Sequence, residues 1–180
     1  MEKQNKTQLI LKIMNVLFWI VFIGLCIKTG TSIFALYTIV TNDGLHEVVH
    51  IGSNPFEKLN LSIPYFMPIG IIYIIIALLK TYIAYLVIKI STGFSISSPF
   101  TTTTSRLITK ISHVALAAGI FQLSVHSYYA SLFDDEQKAT ILANHFGEGG
   151  ELLFLAGIIF IIAQVFKRGL EIQSENELTI

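Results

Sequence analysis

Apolar residues in this chain gather into four long stretches, separated by segments where polar residues, glycine and proline cluster. The stretches cover about residues 13–38, 66–90, 107–132 and 149–170. Each approaches or exceeds the roughly 20 residues an α-helix needs to cross a bilayer. The fourth is the shortest in apolar terms, since its run ends at Phe166 and Lys167-Arg168 follow at once. The pattern predicts an all-α fold: an integral membrane bundle of four transmembrane helices forming one domain over residues 1–180, with a polar tail at 171–180.

Composition agrees with this reading. Hydrophobic residues make up 53% of the chain and charged residues 13%, about half the charge of an ordinary soluble domain. Lys and Arg together equal Asp and Glu at 12 each. No basic excess therefore points to direct nucleic-acid binding. The single cysteine, Cys26, lies inside an apolar run and has no partner for an internal disulfide. The N-terminus resembles a signal peptide, with Lys3, Lys6 and Lys12 ahead of an apolar core. Apolar character continues past Lys28 and no small-residue cleavage site follows, so an uncleaved first helix is expected.

Basic residues near helix ends set the orientation. Lys3, Lys6 and Lys12 precede the first stretch; Lys89, Arg106 and Lys110 flank the loop after the second; Lys167 and Arg168 follow the fourth. The other two loops hold one lysine each, Lys58 and Lys138. Both termini are therefore expected in the cytoplasm and the first and third loops outside, in a bacterial inner (cytoplasmic) membrane. Asn42-Asp43-Gly44, Asn54-Pro55 and Pro64 mark turns. Ser98-Pro99 fits an N-cap followed by proline in the first helical turn.

Helices in lipid associate through small residues and buried polar groups. Steps of three and four trace such a face on each helix. The expected faces are Leu17, Val21, Gly24, Lys28, Thr31 and Ala35 on the first helix and Gly70, Tyr73, Ala77, Lys80 and Ala84 on the second. On the third they are Ser112, Ala115, Gly119, Gln122 and His126, and on the fourth Gly150, Leu153 or Phe154, Gly157, Ile161, Gln164 and Arg168. All four faces are expected to meet in an antiparallel bundle. The intramembrane polar candidates are thus Lys28, Lys80, Gln122 and Gln164. Lys80 falls about 13 Å inside the boundary set by Lys89, too deep for easy snorkelling. Gln164 and Ser112 are its candidate partners, and Glu148 or Glu151 those of Lys28. A charge at that depth usually meets a partner or a water cavity.

The first outer loop holds His46-Glu47-Val48-Val49-His50. This matches H-E-x-x-H, in which two histidines one turn apart bind zinc and the glutamate acts as general base. His126, His145 and Glu151 are candidate further ligands, and Glu47 the candidate catalytic residue. Against this, Gly44 and Gly52 bound barely two turns of helix, and Val48-Val49 suits a strand equally well. Ordinary surface histidines are the favoured reading.

The closing segment VFKRGLEIQSENELTI and the segment SPFTTTTSRLITKI, from Ser98 to Ile111, resemble two signatures of DUF2975, a bacterial family of small four-helix membrane proteins of unknown function. The resemblance is strongest from Tyr65 onward; where this chain has Glu177 the family usually has Asp. It implies a fold and a membrane location but no established chemistry. Family genes often neighbour a small helix-turn-helix regulator, which implies signalling. The expected function is accordingly a non-enzymatic sensor or accessory subunit. It would act on a cytoplasmic regulatory protein through Glu171, Glu175 and Glu177 in the tail, with a homo-oligomer as a further possible assembly and no cofactor. The alternatives are a zinc-dependent membrane hydrolase and a small transporter subunit with Lys80 and Gln164 along a polar path.

Overall fold

A computed structural model of the chain describes residues 2–41, 63–94, 100–132 and 149–177. These form four helices: α1, Glu2–Thr41; α2, Ile63–Gly93; α3, Thr102–Leu132; and α4, Gly149–Glu177. Among the described residues there is no strand. Apolar spans long enough to cross a membrane cover Gln8–Thr38, Gly70–Gly93, Thr102–Val125 and Gly149–Glu175, and the chain is a multi-pass membrane protein.

The helices outrun the apolar stretches that nucleate them. α1 starts at Glu2 rather than near residue 13, and α4 continues to Glu177. Once a helix has nucleated, each added residue gains a hydrogen bond, so helix-tolerant polar flanks such as Lys3-Gln4-Asn5-Lys6 join it. Several hydroxyls inside the spans are satisfied within their own helices. Thr29 donates to the Leu25 carbonyl at 2.8 Å, Ser32 to Lys28 at 2.8 Å, Thr109 to Ser105 at 2.9 Å and Ser124 to Ile120 at 2.9 Å. This back-bonding lets polar residues sit where no water is present.

The start of α3 differs from expectation. The helix begins at Thr102, and Thr101 is its cap: the Thr104 N–H donates to Thr101 Oγ1 at 3.1 Å, and the Ser105 N–H to the Thr101 carbonyl at 3.0 Å. Ser98 and Pro99 lie outside the described residues and ahead of this cap. The run of four threonines offered several caps, and the one chosen lets Phe100, just before it, lie on α4. The Phe100 and Phe166 rings are 5.2 Å apart.

α3 and α4 share the most extensive interface; α1 packs on α2, and α2 on α3. The arrangement is serial, and α1 rests chiefly on α2, so the expected four faces do not all meet. α3 presents Ile108, Ile111, Ala115, Ala118, Gln122 and Val125, all buried, in alternating steps of three and four. The expected residues Ser112, Ala115, Gly119 and Gln122 all belong to this buried side. On α4 the buried residues are Gly149, Ala156 and Ala163, two turns apart, with Leu152, Ile159 and Phe166 half-buried between them.

Two expected faces hold only in part: Thr31 and Ala35 on α1 and Leu153 on α4 are half-buried, while the rest are displaced by one residue. On α4, Gly150, Gly157, Ile161, Gln164 and Arg168 are exposed. On α1, Leu17, Val21, Gly24 and Lys28 are exposed, while Phe18, Phe22 and Leu25 are half-buried and Thr29 is buried. The physical reason lies in the glycines. A Cβ added at Gly24, Gly150 or Gly157 would meet nothing within 4 Å. In lipid a glycine saves space only where a backbone approaches, and here alanines and a threonine occupy the contact line. The faces expected on α2 and α3 hold: Gly70 and Tyr73 are buried, and Ala77, Lys80 and Ala84 half-buried.

Candidate functional site

The α1–α2 contact runs antiparallel. Leu36 lies against Gly70, where an added Cβ would come within 2.8 Å of Leu36 Cδ1. Below it, Thr29 Oγ1 and Thr81 Oγ1 are 3.1 Å apart. Further along, the Phe22 and Tyr85 rings are 6.4 Å apart. Both hydroxyls also lie at donor distance from carbonyls of their own helices, Thr29 from Leu25 at 2.8 Å and Thr81 from Ala77 at 2.9 Å. Two protons serve three contacts, so one threonine donates across the helices while the other keeps its backbone bond.

Beside this pair a cleft of about 50 Å³ opens between the helices. Lys28, Thr29, Tyr73 and Lys80 supply its polar lining; Ile76 and Ala77 are part of its apolar wall. Lys80 is half-buried and Lys28 exposed. Among the described residues no carboxylate stands at ion-pair distance from either ammonium group. Ser112 is not a partner of Lys80: its hydroxyl donates to the Ala156 carbonyl at 3.1 Å. Gln164 is exposed and does not line the cleft, so the described residues do not join Lys80 and Gln164 in one polar path.

A second feature links three helices. The rings of Trp19 and Phe22 meet edge to face at 5.9 Å, Phe22 lies near Tyr85, and Tyr82 stacks with Tyr85 at 6.3 Å. Lys110 Nζ sits 5.3 Å from the Tyr82 ring centre, within range of cation–π attraction. This lysine, read from the sequence as an orientation marker, joins α3 to α2. Its pairing with Tyr82 left no local sequence signal, because the two residues meet only through packing.

The α3–α4 seam is closer still. A Cβ on Gly119 would stand 2.9 Å from Leu153 Cγ and 3.0 Å from the Leu153 backbone nitrogen. One on Gly149 would stand 2.9 Å from the Gly119 carbonyl oxygen. Gln122 is buried on the same face of α3, apart from the lysine cleft. At the other end, a Cβ on Gly169 would reach 2.7 Å from Phe100 Cδ1. The seam thus clamps α4 from Gly149 to Gly169. At its end Arg168 Nη1 donates to Glu171 Oε2 at 2.8 Å, and the helix continues past exposed Glu175. Glu177 ends α4, and nothing is described of its side chain.

The metal candidates are not brought together by the described structure. His46, Glu47, His50 and His145 lie outside the described residues, as does the side chain of His126; Glu151 is exposed. Among the described residues no three His, Cys, Asp or Glu side chains gather to hold a metal ion.

No curated protein and no solved structure matches the chain. The family model DUF2975, described as a protein of unknown function, matches residues 5–180. With nearly the whole length matched, from within the basic N-terminal arm to residue 180, the chain belongs to DUF2975.

Proposed function

We propose that this protein is a non-enzymatic sensor or accessory subunit of the bacterial cytoplasmic membrane, acting on a cytoplasmic partner through the end of α4. The observation that carries the reading is the continuity of α4. It runs 29 residues without a break, about 43 Å at helical rise, against a hydrocarbon core of about 30 Å. The seam with α3 clamps its membrane part, so its polar end moves with that part as one rigid rod. Distribution of basic residues supports a cytoplasmic position for that end. Glu171 and Glu175 then present an acidic edge suited to a basic surface on the partner.

A photoreactive residue at Ile172 tests this in the cells that make the protein. The reading expects one discrete cross-linked protein, lost when Glu171 and Glu175 are both replaced by lysine while membrane insertion persists. Cross-linking that is absent, or that ignores the charge reversal, overturns it.

A further inference from the structure

The α1–α2 cleft places two lysines where a bilayer has least to offer them. The contact between Thr29 and Thr81 sets the residues beside them, Lys28 and Lys80, at nearly one depth. Thr81 lies about 17 Å from either end of the apolar span Gly70–Gly93, further than a lysine side chain can snorkel. Both lysines line the same small cleft. Among the described residues neither has a carboxylate at ion-pair distance. Paired lysines at mid-span without a bonded counter-charge are costly, and such groups mark ligand or ion sites. The hydroxyl of Thr29 adds a donor that can turn from its own carbonyl toward an occupant. Tyr73 contributes to the same lining.

The size of the cleft limits the occupant. About 50 Å³ admits roughly three to five waters, or a monatomic or three-atom ion with a water. A phosphorylated metabolite would not be enclosed by it. A lipid headgroup would have to leave the interface and descend to mid-span. We infer that Lys28, Thr29 and Lys80 form a binding site for a small monovalent anion, a halide or a simple carboxylate such as formate, held between α1 and α2. Bridging the two helices, the anion would tighten a contact that otherwise rests on the Leu36–Gly70 approach, one hydroxyl pair and ring packing. It supplies the sensor reading with an input, and the binding stands or falls without reference to any partner of the tail.

The test uses the full chain purified in a neutral detergent and titrated with chloride, read by the broadening of the chloride NMR line. The proposal expects saturable broadening, displaced by formate. It also expects a loss of affinity of at least about tenfold in Lys28→Met and in Lys80→Met, with Lys89→Gln unchanged. Lys28 is exposed, so its replacement leaves the helix packing intact even if the Lys80 variant does not fold. Absence of saturable broadening in the native protein overturns the proposal, as does broadening unaffected by Lys28→Met. So does one phospholipid retained per chain, lost in Lys28→Met and not displaced by chloride, which would assign the lysines to a headgroup phosphate.

Discussion

Replacing Gly119 and Gly157 by alanine, one at a time, separates the observed α4 register from its neighbour. Both glycines lie inside long helices, so both substitutions gain similar helix propensity, about 1 kcal/mol. They differ in what the new methyl meets. At Gly119 the added carbon stands 2.9 Å from Leu153 Cγ and 3.0 Å from the Leu153 nitrogen. The side chain can rotate away but the nitrogen cannot, so α3 and α4 must part by some tenths of an ångström along a seam closed by alanines. Overpacking of this kind costs about 1–3 kcal/mol. At Gly157 nothing lies within 4 Å, so the propensity gain stands alone. Because propensity cancels between the two variants, their difference reads the packing clash itself, about 1–3 kcal/mol. For a chain of this length each kcal/mol moves Tm by about 2–4 °C. Thermal unfolding in detergent should therefore place Gly119→Ala several degrees below Gly157→Ala, with the latter at or above the native protein. Equal or reversed order would mean that Gly157 faces α3 and that the seam is misassigned.

Other contacts make independent predictions. The pair Thr29→Val and Thr81→Val, taken through a double-mutant cycle, should show a coupling of about 0.6 kcal/mol, the usual size of an interhelical hydrogen bond in lipid; zero coupling would remove the hydroxyl bridge. Thr101→Ala should lower stability by about 1 kcal/mol through loss of the α3 cap, whereas Ser98→Ala should have no measurable effect in the same unfolding assay. Phe100→Ala should free α4 near Gly169, seen as faster hydrogen exchange in residues 166–175, and unchanged exchange there would show that the ring does not clamp the helix. Purified protein should contain no stoichiometric zinc, and metal that disappears in a His46→Ala/His50→Ala variant would revive the hydrolase reading of the outer loop.

The sequence disclosed the number and type of helices readily, because four apolar runs of membrane length leave the backbone no other way to satisfy its hydrogen bonds. The α2 and α3 faces were equally legible: Tyr73, Ser112, Ala115 and Gln122 are buried as expected. The α1 and α4 faces were legible only in part, at Thr31, Ala35 and Leu153. In water the hydrophobic stripe would have fixed them, but lipid welcomes either side of such helices, and conspicuous residues such as Gly157 and Gln164 drew the register one position from Ala156 and Ala163. The same slip hid the site. Lys28 and Lys80 were recognised singly, yet the residue that brings them together is Thr29, beside the expected stripe, and its partner Thr81 carries no motif. Contacts such as Lys110 with Tyr82 and Phe100 with Gly169 join residues far apart in the chain, and only packing reveals them.

The role given to the end of α4 depends on which side of the membrane it occupies. That is read most directly by thiol labelling in intact cells, with Cys26→Ser as background and single replacements Leu45→Cys, Ile96→Cys, Thr140→Cys and Glu175→Cys. The account predicts that an impermeant reagent labels positions 45 and 140 from outside, and positions 96 and 175 only after the inner membrane is opened. Labelling of position 175 in intact cells would place the acidic end of α4 outside and contradict the account.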